Sequence, residues 1–495
     1  MILIIRKQQG GQILMPGTAC LFRVLSAILL ICIATFSSCL QMQGVTAQSG
    51  SQIFLPAIST GRPPVDTVMI HVPYFDVQDV NHQRYNEMAV FWFGKVSLVD
   101  NYTHVRMGYN SQRLTIEVNT YDRELWYDES PSASDVSNWD AVSIYLQVPA
   151  TVQYGSRLLR FDSQLSHWQD RMAYQAVFES TAIGWKQLNI PFLSEVFWRG
   201  DAPNNLVDDK GWAANFEIPF SSLGFSGKPA DQSEWRMGIR VHDKDDGPNG
   251  SIRSQVWPNG FVENSLQSFG NISFGYPARQ TASVKPIGST VIKEGGGIEV
   301  ADGSVGGHST CGANTNYWTE WPNLVYNQGK PMEETVIQNQ KDMADFPCFS
   351  RYYITFPLGS IPHGKVILSA TLTLHQFGNS NPPEAAESFI HVFRIKESWR
   401  EDMLSWNNSP PVYENYPGIW VDALPYYAGV PGVPHTWDVT QALAAVLQSD
   451  SPQELRLVLQ SADSAMHSGK YFWSSETASW NNITPPMLRI VWGTP

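Results

Sequence analysis

The strongest constraint on the fold is the alternation of apolar and polar residues along many short segments. Residues 105–120 (VRMGYNSQRLTIEVNT) show this alternation on both sides of a turn at residues 110–111, which predicts a hairpin. Residues 141–148 (AVSIYLQV) alternate in the same way. Gly, Pro and Asn separate further segments of this kind, and residues 439–447 (VTQALAAVL) form the one good helical stretch. This pattern predicts an all-β protein built from β-sandwiches.

The chain is too long for one ordinary hydrophobic core. Its 495 residues predict two or three domains. The strand pattern is lost over residues 276–290, which contain Pro277 and Pro286. We therefore predict a first β-sandwich over residues 68–275, a linker over residues 276–290 and a second β-sandwich over residues 291–495.

Composition and charge limit the classes of partner. Hydrophobic residues make up 43% of the chain and charged residues only 16%, with 18 Trp, 19 Tyr, 37 Gly and 32 Pro. Such values are typical of extracellular β-modules with many turns. The formal net charge of −13 argues against nucleic acid or an anionic membrane as a partner, because both require a basic surface.

The N-terminus predicts export. Residues 24–36 (VLSAILLICIATF) form an apolar run too short to span a bilayer as a mature helix. Residues 45–47 (VTA) place small residues where a signal peptidase cleaves. We therefore predict a signal peptide over residues 1–47 and a proline-containing tether over residues 48–67. The mature protein is expected to be secreted or held at the extracellular surface, without an integral membrane span.

Two alternatives at the N-terminus stay open. The region before the apolar run is long, so translation starts at either Met1 or Met15. Cys39, which follows two serines, is an alternative site of lipoprotein attachment, although Phe36 stands where an aliphatic residue is expected.

The cysteines outside the leader predict a disulfide. Only Cys311 and Cys348 remain in the mature chain, and an exported chain with two cysteines forms a disulfide by default. Two reduced, buried thiols are the alternative.

The C-terminal half contains several motifs in a specific order. Residues 350–377 (SRYYITFPLGSIPHGKVILSATLTLHQF) precede residues 397–411 (ESWREDMLSWNNSPP) and residues 436–440 (TWDVT). This order resembles the DNRLRE domains, also classed as carbohydrate-binding module family 96, over residues 291–493. Residues 303–345 depart from the family pattern, because this segment is longer and more aromatic than the family's usual opening. The resemblance implies a jelly-roll-like sandwich, often an accessory module of secreted or surface proteins, and carbohydrate binding is documented for part of the family.

Residues 397–411 are predicted to have a structural role. Trp399 and Trp406 are expected to hold this loop against the sheet, and a role facing a ligand is the alternative. Glu401 and Asp402 are a less favoured candidate for glycoside hydrolysis, because neighbouring side chains point in different directions.

The N-terminal half resembles carbohydrate-binding module family 9 over residues 68–275. The resemblance is carried by residues 89–128, 211–224 (GWAANFEIPFSSLG) and 235–246 (WRMGIRVHDKDD). In sugar-binding members, Trp side chains clamp a terminal sugar ring. This implies a carbohydrate site here, whose candidate residues are Trp126, Trp139, Asp122, Arg123 and Glu124. The alternative is that Trp126 is a rim or core aromatic.

An acidic loop predicts calcium as the one candidate cofactor. Asp243, Asp245 and Asp246 lie in residues 242–250 (HDKDDGPNG), and calcium takes carboxylate and carbonyl oxygens from such loops. The spacing differs from that of an EF-hand, and a solvated turn is the alternative.

Three classes of function follow from these patterns. The leading hypothesis is a secreted or surface-attached, non-catalytic protein that binds polysaccharide or glycoconjugate. A structural or adhesion protein without a sugar site is the alternative. A glycoside hydrolase or polysaccharide lyase is less favoured, because the sequence contains no G-x-S-x-G, H-E-x-x-H or phosphate-binding glycine loop.

Overall fold

The computed structural model describes most of the chain after the leader, and almost all regular structure in it is β-strand. The described residues are 67–75, 85–166, 171–278, 284–306, 316–323, 334–340, 348–448, 453–461, 468–481 and 483–494. Residues 1–66, which hold the predicted signal peptide, nearly all of the tether and Cys39, lie outside them, as do Cys311 and the side chain of Cys348. The predicted disulfide therefore stays a prediction.

The N-terminal half contains thirteen strands with bounds in the described residues. They are β1 (Met69–Val72), β2 (Ala89–Gly94), β3 (Tyr102–Tyr109), β4 (Arg113–Tyr121), β5 (Ala141–Val148), β6 (Arg157–Gln164), β7 (Gln175–Thr181), β8 (Gly184–Leu188), β9 (Leu193–Arg199), β10 (Gly211–Pro219), β11 (Glu234–Lys244), β12 (Ile252–Trp257) and β13 (Gly270–Phe274).

These strands form two facing layers. One sheet has the order β2-β3-β4-β10-β9 and is antiparallel throughout. The other runs β8-β7-β6-β5-β11, where β11 also pairs with β12 and β13. Leu114, Ile116 and Val118 of β4 are fully buried and pack in the same core as Ile144 and Ile239 of the opposite sheet. The predicted hairpin is β3–β4, and the β-sandwich prediction is confirmed.

The C-terminal half contains eleven further strands and a helix with bounds in the described residues. They are β14 (Gly288–Ile292), β15 (Ala301–Gly306), β16 (Glu334–Gln340), β17 (Cys348–Pro357), β18 (Val366–Asn379), β19 (Ser388–Arg394), β20 (Glu414–Val421), β21 (Val433–Asp438), α1 (Thr440–Leu447), β22 (Glu454–Ser461), β23 (Lys470–Trp473) and β24 (Met487–Gly493).

These elements form a second sandwich. One layer contains β15, β17, β22, β19 and β20, and the facing layer contains β14, β24, β18 and β21, with β23 beside β18. Ile354 and Leu457 of the first layer share a core with Leu372, Trp437 and Ile490 of the second. The all-β fold predicted from the alternation is thus present in both halves.

The two halves contact each other directly. The backbone N–H of Met69 in β1 donates to the carbonyl of Tyr413, just before β20, at 2.9 Å. The side chain of Asn415 in β20 bonds both backbone groups of His71: its Oδ1 accepts from the N–H at 2.7 Å and its Nδ2 donates to the C=O at 2.9 Å. β1 is also the parallel neighbour of β13. A strand of the N-terminal half therefore lies against the edge strand of the C-terminal half.

In the part of the chain that the structure describes, none of the helices could cross a bilayer.

Candidate metal centre

Three buried carboxylates converge at one end of the N-terminal sandwich. Asp122 follows β4, Asp140 precedes β5 and Asp243 lies near the end of β11. β5 and β11 pair with Ala141 opposite His242, so the adjacent Asp140 and Asp243 are brought together. One oxygen of each carboxylate lies within 4.8 Å of the other two, and each residue is at most 1% exposed. The arrangement has the donor type and spacing of a cation site.

Backbone amides satisfy only some of these oxygens. Asp140 accepts hydrogen bonds from the N–H of Trp126 at 2.6 Å and from the N–H of Lys244 at 2.7 Å. Asp122 Oδ1 accepts from the N–H of Glu124 at 3.2 Å. Asp122 Oδ2 and Asp243 Oδ1 are buried and have no hydrogen-bond partner among the described residues. An unsatisfied buried carboxylate oxygen is costly unless a proton or a cation compensates it.

The pKa values of the three carboxyl groups also indicate that the protein does not compensate their negative charge. Burial raises the pKa of Asp122 and of Asp140 well above the ordinary range, and repulsion from the neighbouring aspartates adds to this. Burial, with the charge of Asp245, raises the pKa of Asp243 to about 7. A divalent cation would remove this repulsion, and its preferred ligands are oxygens of this type.

The loop predicted to bind calcium contributes one member to this cluster. Asp243 belongs to it, whereas Asp245 lies outside it and forms an ion pair with Arg253 at 2.6 Å. Asp246 is exposed, and its backbone N–H donates to Glu124 Oε2 at 3.0 Å. No sequence pattern pointed to Asp140, and Asp122 was predicted to belong to the sugar site. The pairing of β5 with β11 brings Asp140 next to Asp243, and Asp122 reaches them from the facing sheet, so the cluster leaves no short-range sequence motif.

The residues predicted to bind carbohydrate surround this cluster. Trp126 is only 8% exposed, and Trp139 is half-buried with Lys244 Nζ 5.3 Å from its ring centroid. Arg123 is partly exposed and pairs with Glu124, which is buried, at 2.9 Å. Trp139 and Arg123 are thus the more accessible of the predicted residues. The role of the whole set in sugar binding stays a prediction.

A second acidic cluster lies in the C-terminal half. One oxygen each of Asp302, Glu401 and Glu476 lies within 4.8 Å of the other two. Glu401 and Glu476, together with Trp399, line an open cleft of about 980 Å³. Burial and the charge of Glu476 raise the pKa of Asp302 to about 7, and the same two causes raise that of Glu401 to about 8. Asp302 accepts hydrogen bonds from the N–H and Oγ of Ser475 at 2.8 and 2.9 Å. Protein donors therefore already satisfy this carboxylate.

The loop of residues 397–411 is mainly a structural element. Trp406 is buried and parallel to Phe349, with 5.9 Å between ring centroids. Asp402 is exposed and pairs with Arg400, so its carboxylate is not part of the cluster that contains Glu401. Glu401 and Asp402 therefore point in different directions, as expected for adjacent residues.

The C-terminal half also matches a known family of binding modules. Residues 332–488 match carbohydrate-binding module family 96. The predicted resemblance to this family is confirmed over that range. No curated protein matches the chain in sequence.

Solved structures of carbohydrate-binding modules are similar to part of the chain. A protein of Bacteroides uniformis to which carbohydrate binding is ascribed has 10% identity and a TM-score of 0.33, covering 42% of this chain and 99% of its own. A family 9 module of Caldicellulosiruptor kristjanssonii in complex with cellotriose has 14% identity and a TM-score of 0.28, covering 44% and 99%. The corresponding glucose complex has 13% identity and a TM-score of 0.27, covering 44% and 100%. At these scores, none of the similarities assigns a ligand or a binding site to this chain.

Proposed function

We propose that this chain is an exported, non-catalytic protein that binds polysaccharide or glycoconjugate. The observation that carries the proposal is the match of residues 332–488 to a carbohydrate-binding module family. The two sandwiches fill most of the described chain, which favours binding over catalysis. A structural or adhesion protein without a sugar site remains the alternative.

We also propose that Asp122, Asp140 and Asp243 bind a calcium ion. Two unsatisfied buried oxygens and three raised pKa values support this proposal. The ion would fix the loop that carries Trp126, because Asp140 already accepts the backbone N–H of that residue. Calcium would therefore organise the predicted carbohydrate-binding loop without itself needing to contact a sugar.

Affinity electrophoresis tests the proposed function. The protein of residues 48–495 is run through gels that contain one polysaccharide each, with a glycan array to cover glycoconjugates. We expect retardation by at least one polysaccharide or signal on at least one glycan. Migration unchanged in every gel, together with an array without signal, would contradict the proposal and favour the adhesion alternative. Turnover of any glycan by the purified protein would contradict its non-catalytic part.

Two variants test the predicted site in the N-terminal half. Trp139→Ala removes a half-buried aromatic of the predicted loop, and Phe197→Ala removes an exposed aromatic elsewhere in the same half. If the loop binds sugar, only the first variant weakens retardation. Equal retardation of both variants and the wild type would exclude a contribution from Trp139.

A further inference from the structure

The two halves meet where one sheet packs on another. In β3, Val105 and Met107 face the core of the N-terminal sandwich, whereas the alternate residues His104 and Arg106 lie on the other face of the strand. All residues of β3 are buried, because strands of the C-terminal half cover that second face. The ring of His104 stacks on Phe349, with 5.7 Å between centroids. We call this contact, between β2 and β3 on one side and β17, β19 and β22 on the other, the joint.

Gln460 of β22 connects Arg351 to His104 across the joint. Its Oε1 accepts a hydrogen bond from Nε of Arg351 at 2.6 Å, and its Nε2 lies 3.3 Å from Nε2 of His104. A guanidinium only donates, so it holds the carbonyl oxygen of Gln460 toward Arg351 and the amide NH2 toward His104. Because an amide NH2 also only donates, Nε2 of His104 is the unprotonated acceptor. This hydrogen bond between the halves therefore requires a neutral histidine.

The charged groups that face His104 are guanidiniums. They belong to Arg106 of β3 and Arg351 of β17, which are 3% and 1% exposed. A further titratable ring that faces it is that of His391 in β19, which is fully buried. Burial lowers the pKa of His104 well below its ordinary value of 6.5, and these basic groups lower it further. A proton added to His104 would thus enter a buried site of positive charge.

His391 is a second titratable ring of the joint. It stands opposite Gln460 in the pair of β19 with β22, so both side chains lie on the face that meets the N-terminal half. Burial lowers the pKa of His391 to about 3. Backbone groups of Asn86 and Met88 oppose this shift, and the charge of Arg106 adds to it. Both histidines are therefore neutral while the halves are in contact.

Two carboxylates near the joint bind other side chains. Glu117 of β4 accepts hydrogen bonds from the hydroxyl of Tyr85 at 2.6 and 2.7 Å. Glu414 of β20 lies 3.0 Å from Nε2 of His71, so a proton on that histidine gains a partner. His71 thus differs from His104, whose Nε2 faces an amide donor.

We propose that the joint is sensitive to acid and that protonation of His104 at Nε2 separates the two sandwiches. The added N–H points at the NH2 of Gln460, so that two donors face each other. Gln460 cannot turn its amide round without placing this NH2 against Nε of Arg351. The proton comes from water and returns to it when the pH rises, so the separation is reversible. It requires no bound glycan and goes beyond the proposed function.

The direction of the pH effect follows from the two histidines. In the separated form their rings meet water and return to the ordinary pKa of 6.5. The joined form therefore binds fewer protons, and its stability is fully present above about pH 6.5 and is lost as the pH falls below that value. Each histidine lowers the ratio of joined to separated protein about tenfold per pH unit, until the pKa of the joined form is reached. Together they lower it about a hundredfold per unit.

Small-angle X-ray scattering between pH 7.5 and pH 4 tests the proposal on the protein of residues 48–495, with far-UV circular dichroism at each pH. His104→Gln keeps an acceptor for Gln460 but takes up no proton. Gln460→Glu places a carboxylate between His104 and Arg351, so that a proton on His104 gains a partner. His363→Gln is the matched control, because His363 is an exposed histidine of the C-terminal half.

We expect the radius of gyration of the wild type to rise as the pH falls below 6.5, while the strand signal in circular dichroism is retained. In His104→Gln one of the two titrating rings is left, so its midpoint should lie about twice as far below pH 6.5 as that of the wild type. Gln460→Glu should also have a lower midpoint, and His363→Gln should follow the wild type.

A wild-type radius of gyration that stays constant until the strand signal is lost would overturn the proposal. Equal midpoints in the wild type and in a folded His104→Gln would also overturn it. If His104→Gln has no strand signal at pH 7.5, Gln460→Glu decides, and a midpoint that is unchanged or higher would overturn the proposal. Each of these measurements is made without a glycan, so the proposed function stands or falls separately.

Discussion

The guanidinium carbon of Arg351 lies 3.7 Å from the ring centroid of Trp92, which joins the C-terminal half to the N-terminal half. The same carbon lies 4.1 Å from the ring centroid of Trp406, and Nε of Arg351 donates to Gln460 Oε1 at 2.6 Å. Arg351 is 1% exposed, and among the described residues no carboxylate forms an ion pair with it. Two indoles and neutral hydrogen-bond acceptors, among them the hydroxyl of Tyr102, thus stabilise a buried cation.

Replacing Trp92 with Ala should destabilise both halves together. The variant leaves a cavity and removes one aromatic face from the buried guanidinium, so we expect the free energy of unfolding to fall by about 3–5 kcal/mol. Urea denaturation followed by fluorescence and by circular dichroism measures this. Phe197→Ala, at an exposed aromatic, should change stability by less than about 1 kcal/mol. If Trp92→Ala also lowered the free energy of unfolding by less than about 1 kcal/mol, this contact would not join the halves.

Calcium should raise the melting temperature, and Asp243 should be required for the effect. At one hundred times its dissociation constant, a ligand adds about 2.7 kcal/mol, or roughly 3 °C for a chain of this length. Differential scanning fluorimetry in EDTA and in calcium measures the shift. Asp243→Asn should abolish it. Asp246→Asn is the matched control, because Asp246 is exposed, lies outside the cluster and has a φ of 60° that Asn tolerates. Equal shifts in both variants would contradict the proposed site.

Without calcium, stability should fall as the pH rises. The pKa of Asp243 is about 7 in the folded protein, against an ordinary value of 3.8, so the folded state binds more protons between these values. Protonation therefore contributes stability that is fully present below about pH 4 and is lost as the pH rises through about 7. Melting temperatures in EDTA at pH 5 and pH 8 should show this decrease, and Asp243→Asn should reduce it.

With calcium present the decrease should disappear, because the ion binds the deprotonated carboxylates. A higher melting temperature in EDTA at pH 8 than at pH 5 would contradict the assignment.

Asn407 should contribute more to stability than its neighbour Asn408. Its side chain bonds both backbone groups of Val96 in the other half, at 3.0 and 2.8 Å, and Val96 is fully buried. Asn407→Ala leaves those groups unsatisfied and should cost about 1–3 kcal/mol. Asn408 is exposed and bonds only within its own loop, to Ser405 and Met403. Its Ala variant should lose less than about 1 kcal/mol in the same urea titration, and the reverse order would contradict the role of Asn407.

Local patterns were enough to predict the hairpin β3–β4, strand β5 and helix α1. Residues 105–120 alternate because one side of β4 faces the core, and residues 439–447 carry the apolar face of α1. Both patterns extend over a short run of consecutive residues. The sequence alone therefore shows whether apolar side chains recur every two or every 3.6 residues.

The candidate metal centre was not predictable in the same way. Asp122, Asp140 and Asp243 come from three separate segments, and the pairing of β5 with β11 joins two of them. The partners of Arg351 are equally remote, since Trp92 and Tyr102 belong to the other half. The residues next to each of these positions in the sequence give no sign of its role. That role depends on which strands pair and which sheets face each other. The recurrence of apolar side chains every two or 3.6 residues does not encode this arrangement.

The position of β1 has a consequence for the order of assembly during synthesis. Its parallel partner β13 is complete only when Phe274 has been made, and His71 meets Asn415 across a separation of 344 residues. One edge of β1, the first described strand, therefore stays unpaired until Phe274 has been made, and its contact with the C-terminal half forms only after Asn415 has been made. Such distant pairings slow folding and leave strand edges open to aggregation. A truncated chain that ends before Asn415 would keep one edge of β1 exposed permanently.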